Sequence, residues 1–117
     1  MKKTVALLEQ EFESSCGLTP QFATFAKTFK RELKKELEES VGITEFDFHR
    51  GHFVCSGFFK TNDDRIFYFS QSDVRFFKEN KLLVRTAKHF KDYTGGKNCY
   101  VPIGEHMFAN GVLDAIR

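Results

Sequence analysis

A basic and aromatic segment near the C-terminus carries the side chains best suited to binding chemistry. Residues 85–98 follow the apolar run Leu82-Leu83-Val84 and show neither helical nor strand periodicity. Long loops without secondary structure of their own are usually functional or disordered. Cationic and aromatic side chains in one loop suit an acidic protein face or a phosphate backbone. We therefore expect a partner-binding surface formed by Arg75, Arg85, Lys88, His89, Lys91, Tyr93, Lys97 and Asn98.

The glycine pair in this segment does not belong to a Walker A motif. That motif needs a Gly, four further residues, and then Gly-Lys followed by Ser or Thr. Lys91 stands where the first Gly is required, and Asn98 stands where the hydroxyl residue is required. Gly95 and Gly96 are instead expected to form a turn with positive φ. The alternative for the whole segment is a solvated loop whose aromatic side chains fold back on the core.

Two histidines form a second candidate site. His49 and His52 flank Arg50-Gly51, a two-residue turn signal, and would lie opposite each other about 5 Å apart in such a hairpin. Asp47 is on the same face, so a metal or acid–base cluster is conceivable. Because the sequence does not place a third ligand, we expect two polar residues at a hairpin end and predict no bound metal or other cofactor.

Catalytic patterns are weak in this chain. Ser70 and Asp73 lack the GxSxG context of a hydrolase nucleophile. Cys55 or Cys99 with His89 would make a thiol nucleophile, but Cys55 lies among apolar strand residues and is typical of a core position. A small enzyme of unknown reaction is therefore only our third hypothesis.

The composition predicts one soluble domain covering residues 1–117, since 41% of the residues are hydrophobic and 29% are charged. Its core should be rich in aromatic rings, because the chain has 15 Phe, three Tyr and no Trp. The net charge of +2 is too small to indicate nucleic-acid binding. The sequence shows no signal peptide, membrane span or CxxC pair, so we expect a cytoplasmic protein without a membrane partner.

The elements that must position these residues can be predicted from periodicity. Apolar spacing indicates helices over 2–15 and 20–41, and Thr19-Pro20 and Gly42 supply the start and stop of the second helix. The period then changes to two, which predicts strands. Short turns make consecutive strands antiparallel. We expect an α+β two-layer sandwich, in which the N-terminal helices pack on a four-stranded antiparallel meander (44–49, 52–60, 65–70 and 82–87) and a short helix ends the chain (105–117).

The second predicted helix also carries a cationic stretch, which we interpret as a solvated face with an electrostatic docking patch as the alternative. Its members are Lys27, Lys30, Arg31, Lys34 and Lys35.

Residues 50–98 resemble a group of small proteins carried on bacterial phages, plasmids and conjugative elements, mostly in Firmicutes. The first 42 residues carry little of the likeness. The motifs that carry it are Arg50-Gly51-His52-Phe53, Ser56-Gly57-Phe58-Phe59, Ser72-Asp73-Val74-Arg75, Val84-Arg85-Thr86-Ala87-Lys88 and Asp92-Tyr93-Thr94-Gly95-Gly96-Lys97-Asn98.

This resemblance implies an accessory gene of a mobile element, acting in the cytoplasm of a bacterial host cell. Such genes often encode inhibitors of host defence, of which anti-CRISPR proteins are one class. The leading hypothesis is therefore a non-enzymatic inhibitor that binds a host nuclease or ribonucleoprotein, for example a CRISPR effector. The second hypothesis is an accessory protein that binds RNA or DNA.

Overall fold

The fold is α+β, as predicted, with one more strand than the sequence indicated. The structure is a computed structural model that describes residues 1–12, 19–51, 53–75 and 81–117. Within those residues it contains three α-helices, a π-helical turn and one antiparallel sheet of five strands in chain order. The elements are α1 (Lys2–Leu8), α2 (Pro20–Glu36), the π-helical turn (Leu37–Val41), β1 (Ile43–Arg50), β2 (Cys55–Thr61), β3 (Ile66–Gln71), β4 (Lys81–Ala87), β5 (Cys99–Pro102) and α3 (Phe108–Ala115).

Helix α2 begins where its capping residues predict. The Thr19 hydroxyl accepts a hydrogen bond from the backbone N–H of Phe22 at 3.1 Å, and Pro20 takes the first helical position. The predicted end at Gly42 is also confirmed, since Gly42 has a φ of +86° and donates its N–H to the Leu37 carbonyl. The last turn before it is π-helical rather than α-helical.

The apolar stripe of this helix forms the core with one face of the sheet. The ring of Phe29 on the helix lies 6.0 Å from that of Phe48 on β1. The ring of Phe22 lies 5.5 Å from that of Phe53, in the connection between β1 and β2. Of the seven residues in the predicted stripe, Val41 is half-buried and Ala26 is 3% exposed. The other five are buried to at least 99%: Phe22, Phe25, Phe29, Leu33 and Leu37.

Helix α1 ends at Leu8 and is therefore shorter than predicted. Beyond its end, Phe12 packs edge-on against Phe22 and Phe25. The rest of the predicted helix, residues 13–15, lies outside the described residues. A carboxylate of α2 fixes α1, since Glu32 accepts hydrogen bonds from both the backbone N–H and the hydroxyl of Thr4 at 2.6 Å. These hydrogen bonds hold the pKa of Glu32 below its usual value, although burial acts in the opposite direction.

The predicted number of strands was wrong by one. Strand β5 pairs with β4 through Leu82 and Val101, in a part of the chain that the sequence pattern does not mark as a strand. It is only four residues long and ends at Pro102, so it is too short to show an alternating pattern.

The turn predicted at Arg50-Gly51 was also wrong. Arg50 pairs with Cys55, so the connection between β1 and β2 spans 51–54 rather than two residues. The backbone N–H of Gly51 closes this connection by donating to the Val54 carbonyl at 2.8 Å.

Candidate functional site

Strand pairing aligns four side chains on the sheet face that points away from the helices. Asp47 lies opposite Phe58, Phe58 opposite Tyr68, and Tyr68 opposite Arg85. Residues directly opposite each other in an antiparallel sheet project from the same face. The neighbouring Phe59 projects from the other face and joins the helix-facing core. We call the face that carries Phe58 the outer face.

Phe58 is completely buried although it projects away from the helices. The chain after β4 covers it: the Phe90 ring stacks on Phe58 at 5.6 Å, and the Tyr93 ring meets it edge-on at 5.5 Å. Tyr68 completes the group, with its ring 5.2 Å from Phe58 and 5.8 Å from Tyr93. These four residues form a second small core, here named the outer cluster. The segment that covers the sheet is residues 88–98, here named the covering loop.

The sequence left two alternatives open for residues 85–98, a partner-binding surface or a solvated loop whose aromatic side chains fold back on the core. The outer cluster has features of both. The aromatic side chains of the loop do fold back, but onto the outer face of the sheet rather than onto the main core. Phe90 is half-buried, whereas Tyr93 keeps 56% of its surface exposed. One ring therefore anchors the loop and the other remains available to a partner.

Arg85 fastens the loop to the sheet. Its Nη2 donates to the Tyr93 carbonyl at 2.6 Å, and its guanidinium carbon lies 4.5 Å from the centre of the Tyr68 ring. Its Nε is buried and has no hydrogen-bond partner in the part of the chain that the structure describes. Arg85 is half-buried, unlike the exposed loop lysines, because the loop returns over β4.

A carboxylate organises the turn inside the covering loop. Asp92 accepts hydrogen bonds from the backbone N–H of Lys88 at 2.9 Å and from the N–H and hydroxyl of Thr94 at 3.1 and 2.8 Å. These donors, chiefly the Lys88 N–H, lower the pKa of Asp92 from 3.8 to about 2. The same turn places Lys91 in the left-handed region, with a φ of +73°.

The glycine pair has a different role from the one predicted. Within the described residues the only glycine with positive φ is Gly42, so the pair is not needed for an unusual backbone angle. A Cβ on Gly95 would lie 2.2 Å from the Thr86 carbonyl oxygen, and one on Gly96 would lie 2.2 Å from the Thr86 hydroxyl. The glycines therefore allow the loop to run in direct contact with the end of β4.

Most of the predicted polar site residues lie on the exposed side of this loop. The exposed residues are Lys88, His89, Lys91, Lys97 and Asn98. His89 is restrained by a 2.9 Å hydrogen-bond contact between its Nδ1 and the Phe90 carbonyl. Sequence reasoning missed Tyr100, which is 58% exposed and lies opposite Leu83 on the outer face. No signal in the sequence marks Tyr100, because β5 is too short to show an alternating pattern.

Arg75 is not brought together with the loop. It follows the end of β3, where Gln71 pairs with Leu82 at the start of β4, whereas the loop leaves from the opposite end of β4. Its guanidinium lies 3.9 Å from the centre of the Phe53 ring and binds both carboxylate oxygens of Asp73, at 3.1 and 2.7 Å. These contacts attach Arg75 to the helix side of the sheet, because Phe53 belongs to the main core.

The two-residue hairpin that would place His49 directly opposite His52 is not formed. His49 lies opposite Ser56, and its Nε2 is 2.9 Å from the Asp47 carboxylate. His52 lies outside the described residues. Among the residues that the structure does describe, no three His, Cys, Asp or Glu side chains are grouped so that they could hold a metal ion.

The environment of Cys55 does not favour a thiol nucleophile. Burial of Cys55 raises the pKa of its thiol to about 12, so the thiol is protonated and poorly nucleophilic at neutral pH. Cys99, the other thiol considered, is half-buried at the start of β5.

No family model, curated protein or solved structure matches this chain. Across the described ranges, none of the helices has the length and apolar character needed to cross a bilayer.

The pKa of Asp92 gives a prediction for the covering loop. A folded-state pKa below the ordinary value means that the carboxylate stabilises the loop fully above pH 3.8 and loses this effect as the pH falls toward about 2. We expect the backbone amide resonances of Lys88 and Thr94 to titrate together below about pH 4, as Asp92 takes up its proton. NMR chemical shifts would measure this directly. A midpoint near 3.8, or the same titration in an Asp92→Asn variant, would contradict the assignment.

Proposed function

We propose that this protein is a non-enzymatic binding protein of a mobile element, and that it inhibits a host nuclease or nucleoprotein in the manner of an anti-CRISPR protein. The binding surface in this proposal is the covering loop with the exposed edge of the outer cluster. The observation that supports this proposal is that specific contacts hold a cationic loop against the outer face of the sheet. The likeness of residues 50–98 to mobile-element proteins supplies the class of partner.

Fastening matters because ordering a loop on binding costs free energy. Three independent contacts restrain the covering loop before any partner arrives: Phe90 on Phe58, Arg85 on the Tyr93 carbonyl, and the glycine pair against Thr86. A preorganised surface loses less conformational entropy when it binds. Interface hot spots are enriched in Tyr and Arg, and the exposed Tyr93 and the half-buried Arg85 are adjacent on this surface.

The charges of the loop suit an acidic or polyanionic partner. Lys88, Lys91 and Lys97 are exposed and are not in ion pairs with any carboxylate among the described residues. The buried Asp92 carboxylate accepts hydrogen bonds from backbone and hydroxyl donors. It therefore forms no ion pair with the three loop lysines among the described residues. An acidic protein face or the nucleic-acid component of a nucleoprotein would meet three available cations.

The second candidate function is direct binding of single-stranded RNA or DNA in support of a mobile element. The observation that favours it is the placement of two exposed tyrosines, Tyr93 and Tyr100, on the same outer face as the cations. Bases stack on exposed aromatic rings while cations follow the phosphates. If the ligand is RNA or DNA, each mutation that removes one lysine–phosphate contact should reduce the slope of log K against log salt concentration by about one unit.

We take the scaffold behind this surface to be a single two-layer α+β sandwich that works in the cytoplasm of a bacterial host. The helices cover one face and the loop occupies the other, so a partner on the loop would not disturb the main core.

The test is a triple variant, Lys88→Ala, Lys91→Ala and Lys97→Ala. We expect its thermal stability to stay within about ±0.5 kcal/mol, because the three side chains are exposed. The natural protein should restore phage plaques in cells whose CRISPR nuclease targets that phage, and the variant should lose most of this effect. Retardation of a labelled oligouridine at several salt concentrations tests the second candidate in parallel.

The matched control is the triple variant Arg31→Ala, Lys34→Ala and Lys35→Ala, which removes the same charge from exposed positions of α2. It should behave as the natural protein does. Loss of activity in this variant, with full activity in the loop variant, would place the working surface on α2 and refute the proposal. Unfolding of the loop variant would show instead that these lysines belong to an internal network.

A further inference from the structure

A groove between helix α2 and the edge strand β1 forms a second surface, away from the covering loop. Its volume is about 580 Å³. The helix contributes an apolar wall at Ala23 and Ala26, and Phe48 continues this wall on the strand. The polar lining residues are Lys27, Lys30, His49 and Arg50.

The rim of this groove is cationic. Lys27, Lys30 and Arg50 are exposed or line the opening, and none of them is in an ion pair with a carboxylate within the described ranges. The nearest acidic group on β1, Asp47, is engaged with His49 at 2.9 Å. The groove therefore presents unneutralised positive charge beside its apolar wall.

Strand β1 also presents an open backbone edge beside this groove. Within the described residues it pairs only with β2. A Cβ on Gly57 would lie 1.9 Å from the Asp47 carbonyl oxygen, so this carbonyl points toward β2. Backbone groups alternate in direction along an antiparallel strand, so those of Phe46 and Phe48 point to the open side. Such an edge is a template for another strand.

We infer that an extended acidic segment of a protein partner docks here by adding a strand to β1. Its backbone would pair with the open groups of Phe46 and Phe48, which is the strand-addition mode of peptide recognition. Its alternate side chains would project into the groove, where carboxylates meet Lys27, Lys30 and Arg50. This surface is separate from the one in the proposed function and does not depend on it.

Two other occupants fit less well. A nucleic acid would satisfy the cations, but it has no backbone donors and acceptors in the register of a strand and would leave the open edge of β1 unpaired. A second copy of this chain could pair β1 with β1, but the two copies would bring their cationic α2 rims toward each other. Charge complementarity and the open edge together favour an acidic peptide.

The experiment uses a fluorescently labelled octapeptide of alternating valine and glutamate, since β1 is eight residues long. Binding is measured by fluorescence anisotropy at low salt. We expect the Lys27→Glu, Lys30→Glu variant to weaken binding by about tenfold or more, because two attractive contacts become repulsive. The Lys2→Glu, Lys3→Glu variant changes the charge equally at exposed positions of α1 and should bind the peptide as the natural protein does.

Amide exchange separates strand addition from simple charge attraction. With the peptide bound, the backbone amides of Phe46 and Phe48 should exchange at least several-fold more slowly, and a peptide N-methylated at alternate residues should fail to bind. Equal binding of the N-methylated peptide would overturn the proposal. So would unchanged exchange at both amides, or displacement of the peptide by oligouridine with the same dependence on Lys27 and Lys30.

Discussion

Replacing Phe29 with alanine is expected to lower the free energy of unfolding by about 3–5 kcal/mol, the usual cost of removing a fully buried Phe. Phe29 has no exposed surface, stacks on Phe25 at 5.6 Å and meets Phe48 of the sheet edge-on. The truncation would leave a cavity where helix and sheet join, and the surrounding rings cannot close it without leaving their own contacts. Urea denaturation followed by circular dichroism would measure the change.

The control for this prediction is Lys30→Ala, one residue along the same helix and exposed. It should change stability by less than about 0.5 kcal/mol, because it removes no buried contact. Equal denaturation midpoints for Phe29→Ala and the natural protein would mean that the helix presents a different face to the sheet.

Helix α2 could be predicted almost completely because every signal for it is local. Thr19 and Pro20 mark the start, Gly42 marks the end, and the apolar stripe identifies the buried face. The change to π-helix at residues 37–41 leaves the same stripe buried, so the periodicity did not reveal it. The local turn signal at Arg50-Gly51 was misleading. The register of β1 and β2 pairs Arg50 with Cys55, so the strands are joined by a longer connection than the predicted two-residue turn.

Only part of the site could be predicted from the sequence, because the contacts that hold the covering loop in place join distant parts of the chain. The exposure of the three loop lysines could be predicted, because they lie where the periodicity of the sequence has ended. The outer cluster, however, joins Phe90 and Tyr93 to rings on β2 and β3. One local clue was available: Phe58 and Phe59 are adjacent in a strand, so one of the two must face away from the helices and needs its own cover.

Replacing Phe58 with alanine is the prediction that tests this frame. We expect a loss of about 3–5 kcal/mol in the free energy of unfolding, since Phe58 is as buried as Phe29. The loss should be accompanied by release of the covering loop, because Phe90 stacks on Phe58 and Tyr93 meets it edge-on. Hydrogen exchange under native conditions would show this as faster exchange of the loop amides relative to those of α2. Binding through the loop lysines should weaken even though all three remain in place.

The adjacent residue provides a matched control, because Phe59 is also fully buried but projects into the main core. Phe59→Ala should destabilise the protein by a similar amount, yet it should leave the loop amides protected relative to the rest of the sheet. A difference between the two variants in loop exchange, at equal overall stability, isolates the contribution of the outer cluster. If both variants release the loop to the same degree, the loop depends on the stability of the whole sheet, and Phe58 does not anchor it specifically.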